Sequence, residues 1–548
     1  MESNKNLSPF KHLSADIPAS VIVFLVAMPL CLGVALASGA PLYAGLISGI
    51  VAGIVVGALS DSPLGVSGPA AGLALIVLTA IQDLGSFELF LVTVVFAGVL
   101  QVIMGFLRAG TIAYYFPSSV VNAMLAGIGI IIFMKQIPHA VGYDENPEGN
   151  FAFQQADGEN TISELSNMLN YVSPGVVAIS VISLAILILW EMEWFKRFSF
   201  TKYLKGPLVA VIAGIVLGIV FQDYPYWAVD ASHFVAIPVA NNMTEFIGAL
   251  SFPDWANGLT NPAVYKHAVI LAVIASLEGL LCAEASDKQD TLKRKTSFNR
   301  ELKAEGVGNI VSGLLGGLPL TQVIVRSSVN QQSGGMTKAS AVSHGFLLLG
   351  SVLLIPNILN IIPIASLAAI LMVVGFKLAK PELFIRMYKQ GAEQAIPFLG
   401  TVVAILLTDL LIGIGIGMVI AFVVMIVNSY LKFRNPEQSV FANINQSLVQ
   451  IYNNYKQAYV IEHASEGDVK QTRMVLSEEV TFLSRAVIQK QLKQLESGSV
   501  VEIDGSNNYS IHHDVMQVIR DFEENAAERS IKVKTKDVTR NKRKPVLV

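Results

Sequence analysis

Two ionisable residues stand where the chain is otherwise apolar enough to lie in lipid. Glu278 sits in AVIASLEGLLCAEAS, and Arg326 in LPLTQVIVRSSVNQQSGG, which runs from Leu318 to Gly335. A charge at membrane depth costs a few kcal/mol or more, so such a residue faces a partner or a cavity. A buried carboxylate is paired, holds a cation, or keeps a proton. The chemistry to expect of Glu278 is therefore coupling to a proton or a sodium ion. The plainer alternative is a packing carboxylate that bridges to a lysine or to Arg326. Arg326 suits an anion, by contact or through its field. No nucleophile–base constellation and no metal-ligand spacing accompanies them, so the chain does not read as an enzyme.

Arg326 follows Val323–Val325 and precedes Ser327 and Ser328, at the start of a segment too short to span a bilayer. An earlier stretch, GVSGPAAGL from Gly65 to Leu73, is broken in the same way. Pro69 suits the first turn of a half-helix there. Helix N-termini expose N–H groups and a positive dipole end, which favour anions. Two of them facing each other would cradle one anion, with Pro69, Ala70 and Ala71 on one side and Val325, Arg326 and Ser327 on the other. One Gly/Pro-broken apolar segment in each half of a membrane protein is the pattern of a transporter's midplane site.

The elements that hold these residues are apolar helices. The 548 residues are 53% hydrophobic and 14% charged, which excludes an ordinary soluble domain. A net charge of −3, segregated by segment, gives no footprint for nucleic acid. Fourteen membrane segments are expected, beginning near Ile17, Tyr43, Pro69, Phe87, Ser118, Ser173, Gly206, Val264, Glu301, Val323, Ala339, Ser366, Ala395 and Ile412. The third, tenth and twelfth read as short. Lys and Arg gather in loops that an even count places on one side with both termini, and that side is the cytoplasm. The short third and tenth segments correspond in a seven-plus-seven division, and an odd repeat unit inverts. Cys31 and Cys282 read as buried thiols. His233, His267 and His344 read as interfacial, Glu284 as an interfacial charge, and Asp61 and Asp83 as loop residues. The glycines of AEGVGNIVSGLLGG read as helix-packing positions.

Past Arg434 the composition turns polar. Strand patterns at Val475–Leu476, Ser499–Asp504 and Ile531–Val538 alternate with helical spacing at Arg485–Leu495 and His512–Ala527, the pattern of a small α/β domain.

At these residues the chain resembles the SulP anion-transporter family, also called solute carrier family 26. DIPASVIVFLVAMPLCLGVALASG (Asp16–Gly39) is similar to the family's first helix, and SGPAAG (Ser67–Gly72) to its third-segment motif. EGVGNIVSGLLGGLP and VNQQSGG are the most specific stretches, and the C-terminal α/β segment resembles a short STAS domain. The resemblance implies a polytopic fourteen-segment, seven-plus-seven inverted repeat shared with uracil permeases. Residues 1–434 would form the transport domain and 435–548 the cytoplasmic STAS-like domain. Segments 1–4 and 8–11 would be the core and segments 5–7 and 12–14 the gate. Substrate would sit between the third and tenth half-helices, an elevator motion would carry it, and the protein would be a homodimer. Glu278 matches an acidic position that is aspartate in sodium-coupled bicarbonate transporters, and Cys282 stands where those have threonine. The longer carboxylate and the lost hydroxyl favour a proton.

The expectation is a multi-pass protein of the inner or plasma membrane, with both termini cytoplasmic. It carries a small inorganic anion, sulfate or bicarbonate, by secondary active transport. It uses no cofactor beyond the coupling ion. Rival readings are a sodium-coupled bicarbonate transporter, a passive anion channel, an anion sensor reporting through the STAS-like domain, and a nucleobase permease, which Arg326 disfavours.

Overall fold

The computed structural model describes residues 12–144, 161–198, 201, 205–235, 248, 250–354, 359–433, 439–466, 469–526 and 530–538. Eight of its helices are long and apolar enough to cross a membrane by length and composition, among the described residues. Long apolar runs take this form because lipid offers no partner for the backbone, and a helix satisfies its own N–H and C=O groups.

The chain begins with α1 (Leu13–Ala37) and α2 (Leu42–Val51), which continues through a π-helical turn to Leu59. A short strand, β1 (Ser67–Pro69), and a 3-10 turn (Ala71–Leu73) lead into α3 (Ala74–Leu84). Next come α4 (Phe87–Phe106), α5 (Ser118–Val141), α6 (Pro174–Glu191) and α7 (Gly206–Phe221). A second series follows with α8 (Pro262–Gln289) and α9 (Phe298–Leu314). Strand β2 (Leu320–Gln322) leads into the nine-residue α10 (Ile324–Gln332). The series closes with α11 (Ala339–Leu354), α12 (Ile364–Leu378), α13 (Ala392–Leu407) and α14 (Leu410–Phe433). The segment beginning near Ser366 differs from expectation. By length and composition the apolar span continues from α12 to Lys389, 26 residues, but the chain breaks at the extended Lys380 and a separate Pro381–Lys389 helix follows, with Pro381 at its first turn.

Close packing rests on glycine. Gly98 of α4 and Gly306 of α9 face each other, so that a methyl on either would lie 2.6 or 2.7 Å from the other's carbonyl oxygen. Gly313 meets Leu91 and Val95 of α4 in the same way. Backbones this close gain dispersion contacts that bulkier residues would prevent.

Beyond the membrane helices, α15 (Val440–Lys456) leads to a four-stranded sheet ordered β3 (Tyr459–Glu466), β4 (Val469–Leu476), β6 (Val500–Asp504), β8 (Lys532–Lys536). A two-stranded ribbon pairs β5 (Glu479–Val480) with β7 (Ser510–Ile511). Helices α16 (Ser484–Gln494) and α17 (His513–Ala526) cover the sheet. Met474, Leu476, Ile488, Leu492, Val501, Ile503, Val515 and Ile519 form its apolar centre. This unit docks on both series of helices. Arg485 bonds Glu284 of α8 at 2.6 Å with both side chains buried, and Lys293 meets Glu524 at 2.8 Å. Asp514 accepts the N–H of Ser118 at the start of α5, and Glu479 accepts the hydroxyl of Ser429 in α14. Burial pushes the Asp514 carboxyl up, but the charges of His512, Arg485 and Lys288 and the Ser118 hydrogen bond hold it below the usual carboxylate range. Glu284, read from sequence as an interfacial charge, is instead a buried docking partner. Its mate lies 201 residues away in the chain, beyond any local signal.

At the far end of α5, His139 and His233 share one carboxylate, Asp144, at 2.5 and 2.6 Å. Burial alone would raise the Asp144 carboxyl; the hydrogen bonds and charges of the two histidines outweigh it and hold it below its ordinary value. A carboxyl whose pKa is depressed by folding contributes stability above its unfolded pKa and loses it as pH falls through the folded value. Asp144→Asn is therefore expected to unfold more easily by about 1–3 kcal/mol at neutral pH. The gap to the parent protein should begin to narrow as the pH falls below about 4 and close only below the lowered folded value. Thermal unfolding in detergent at several pH values checks this. A gap that persists undiminished at low pH would assign Asp144 a purely steric role.

Candidate functional site

The two broken stretches meet. Strands β1 and β2 pair antiparallel, with Ser67 opposite Gln322, Gly68 opposite Thr321 and Pro69 opposite Leu320. Each strand runs into a helix start, so the chain reverses from extended to helical at Ala70 and Val323, both in β conformation. Val323, β-branched, suits the end of its extended arm, while Val325 already lies in the helix. Pro69 closes β1 instead of standing in the first helical turn, which begins at Ala71, so its expected place shifts by two residues. The turn costs backbone partners. Helix geometry leaves the N–H groups of Ala71 and Gly72, and those of Ile324, Val325 and Arg326, without intrahelical carbonyls. The Cys282 thiol lies beside the N–H of Ile324. The others lie at two helix N-termini joined by one ribbon.

Pro69, Ala70, Val325, Arg326 and Ser327 are all buried, and Ala71 is half-buried. Ser327 ties the two arms together. Its hydroxyl donates to the Val323 carbonyl at 2.8 Å and accepts the N–H of Val66 at 3.0 Å. That hydroxyl proton is committed inside the fold. Ser328, also buried, has a hydroxyl with no partner. Asn330 donates to the Leu64 carbonyl at 3.1 Å, which fixes the far end of α10 to the loop before β1.

Arg326 is only 1% exposed. One guanidinium nitrogen, Nη2, lies 3.2 Å from the Cys31 sulfur of α1. Its Nε and Nη1 have no partner. The head packs on Gly68, where a methyl would come 1.9 Å from Nη1. His344 of α11 lies within electrostatic reach of it, fully buried, with Nε2 unpartnered. The sequence reading of His344 as interfacial is thus corrected. Nothing local marked it, because Ser343 and Gly345 on either side suit a helix end as well as a helix core.

Glu278 is 5% exposed, with Oε2 unpartnered. Its carboxyl faces the first turn of the third-segment helix, where a methyl on Gly72 would lie 2.8 Å from Oε1. Cys282 follows one turn along α8 and meets the start of α10. Glu278 and Cys282 therefore stand between the two half-helix starts. The bridge from Glu278 to Arg326, one packing alternative from sequence, is not formed. Arg326 turns toward α1 and α2, and Glu278 toward α3. The glycines of SGPAAG explain the separation: Gly68 makes room for the cation and Gly72 for the acid. A prediction follows from these contacts. Gly72→Ala displaces a flexible carboxyl rather than backbone, so the protein should fold with thermal stability near the parent's while Glu278 shifts off its seat. A loss of folded protein in Gly72→Ala would show that the carboxyl cannot yield.

A cavity of about 320 Å³ opens between the halves near the end of α10. Val329, Gln332 and Ser333 line it together with Lys196, Lys205, Lys377 and Glu191. Glu191 lies 2.6 Å from Lys377 and 3.9 Å from Lys196. Asp409 caps α14 through the N–H of Ile412 at 2.8 Å. No group of three or more metal-ligating side chains occurs among the described residues.

The sulfate permease family model matches residues 13–401. The chain belongs to that family, a class of multi-pass membrane proteins. It is 26% identical over 431 residues to the bicarbonate transporter BicA of Picosynechococcus, covering 76% of this chain and 71% of that protein. It is 28% identical over 422 residues to the putative sulfate transporter YvdB of Bacillus subtilis, covering 77% and 74%. The solved structure of SLC26A9 superposes with a TM-score of 0.55 over 96% of this chain and 85% of that one, at 12% identity, a likeness of fold.

Proposed function

We propose that this protein is a secondary active transporter of a small inorganic anion, with sulfate and bicarbonate the leading substrates. The single observation that carries the reading is the β1–β2 ribbon. It joins two helix N-termini with free N–H groups beside a buried arginine that has two unpartnered nitrogens. Relatives named for bicarbonate and for sulfate support the substrate class without dividing it. In this reading Pro69, Ala70, Ala71, Val325, Arg326 and Ser327 form the cradle. Backbone groups hold the anion, and Arg326 acts through its field from behind Gly68.

Glu278, with Cys282 beside it, is the coupling position, and the ion is a proton. The packing supports this: a buried thiol beside the start of α10 is a poor sodium ligand compared with oxygen. The chain crosses the inner or plasma membrane fourteen times in two inverted sevens, with both termini and the basic loops cytoplasmic. Segments 1–4 and 8–11 move as an elevator against segments 5–7 and 12–14. The cavity lined by Lys196, Lys205 and Lys377 is the cytoplasmic mouth. Residues 435–548 form a STAS-like domain that bridges both moving parts through Arg485, Asp514 and Glu479, and the working protein is a homodimer.

Counterflow in sealed liposomes tests this. Vesicles loaded with unlabelled sulfate or bicarbonate should draw in a trace of labelled anion against its gradient, and uptake should saturate. Uptake linear in concentration and without counterflow would point to a channel.

A further inference from the structure

We infer that Glu305 and Glu301 carry the coupling proton between Glu278 and the cytoplasm. The inference rests on the proton-coupled reading above. Helix α9 presents the two acids one turn apart, 0% and 1% exposed. At the outer end of the file, the Ser60 hydroxyl donates to Glu301, and the neighbouring Asp61 pairs with Arg300 at the exposed edge at 3.3 Å. One turn deeper, Glu305 Oε1 accepts the N–H of Gln322 at 2.8 Å, and Oε2 has no partner. The Glu305 carboxyl lies over Gly279 of α8, where a methyl would come 2.2 Å from Oε1. The residue before that glycine is Glu278, its own Oε2 unpartnered. Gln322 of β2 adds a buried amide oxygen without a partner, and its amide nitrogen reaches Ser62 at 3.5 Å. Glu301 and Glu278 both lie within electrostatic reach of Glu305, so acids mark a course from the loop between α2 and β1 toward the coupling carboxyl.

The groups that face it are Ser60, Asp61 and Ser62 from that loop, Gln322 from β2, and Glu278 and the Cys282 thiol from α8. Asn309, one turn further along α9, is occupied by Gln101 and the Leu320 backbone. Lys303, on α9 between the two acids, points to the Phe106 ring instead, 4.9 Å from its centre. Among the described residues no ion pair reaches Glu278, Glu301 or Glu305. Buried carboxyls within electrostatic reach of one another, with no ion pair among the described residues, do not all ionise together, which suits the file to pass a proton. Transfer is then simple. Glu305 takes the proton from Glu278 as its own O–H bond to a second proton breaks; that proton passes to Glu301, and one leaves Glu301 for water at the Ser60–Asp61 edge. One proton crosses, and no other bond changes. All the groups belong to the proposed core, so the file moves with the substrate. It meets cytoplasmic water when the core is inward, and its end is drawn into the dry part of the bilayer when the core is outward.

Glu305→Gln is the decisive variant, because its amide oxygen still accepts the Gln322 N–H while the titratable site is gone. The full-length protein in liposomes is assayed for uptake driven by an inward proton gradient and for homoexchange, which needs no net proton movement. The expected result is pH-driven uptake reduced roughly tenfold or more, with homoexchange kept and Glu305→Asp partly restored. Wild-type pH-driven uptake in Glu305→Gln overturns the relay and leaves the coupling role of Glu278 standing. A parent protein that ignores the pH gradient overturns both. Should Glu305→Gln lose homoexchange too, Glu301→Gln, nearer the surface, is judged by the same two readouts.

Discussion

Replacing Glu278 by glutamine should abolish gradient-driven accumulation while leaving exchange of anion across the membrane. The side chain keeps its volume and its seat against Gly72, so the fold has little reason to change. What goes is the group that can hold a proton. An inward gradient of about two pH units, coupled one to one, supports roughly 100-fold accumulation at 1.4 kcal/mol per factor of ten. In Glu278→Gln that ratio should collapse to about 1. Accumulation unchanged in the variant, with its pH dependence intact, would remove Glu278 from coupling and move the proton elsewhere.

The second large effect is expected at Arg326. Its charge is buried behind Gly68, with Nε and Nη1 unpartnered and, among the described residues, no ion pair. A unit charge about 5–8 Å from an anion, at an effective dielectric near 20, contributes roughly 2–3 kcal/mol. Arg326→Met keeps length and apolar packing but loses this attraction, so KM for the anion should rise roughly 30- to 150-fold. Arg326→Lys keeps the charge, gives up the contact with Cys31, and should stay much nearer the parent. Gly68→Ala, whose methyl meets Nη1, should raise KM by displacing the guanidinium. If methionine and lysine behave alike in uptake kinetics, Arg326 is a packing residue and its charge has no part in binding.

These effects were partly legible in the chain. Pro69 and the polar run from Gln322 to Gln332 break apolar stretches, and such breaks can be read without coordinates because lipid does not tolerate them uncovered. The C-terminal strands at 500–504 and 532–536 and the helices at 484–494 and 513–526 followed the expected periodicities, because alternation and 3.6-residue spacing are local. Strand β3 and helix α15 were not foreseen, although Val440, Ile444, Leu448 and Ile451 fall at helical spacing and Ala458–Ile461 is a short apolar run. Long-range partners were the harder part. That Arg326 meets Cys31, 295 residues away, and that Glu284 meets Arg485, depends on how helices pack, which spacing along the chain does not encode. Glu305 was passed over because AEGVGN reads as a helix start near a basic loop. Its burial arises from Gly279 on another helix.

The account's central claim is anion transport driven by protons through this site. It is tested most directly by the purified protein in sealed liposomes, given labelled sulfate or labelled bicarbonate under an imposed pH gradient and, separately, an imposed sodium gradient. The account predicts accumulation of one of these anions driven by inward protons, without sodium, and lost in Glu278→Gln. Accumulation that requires sodium and ignores the pH gradient would contradict it.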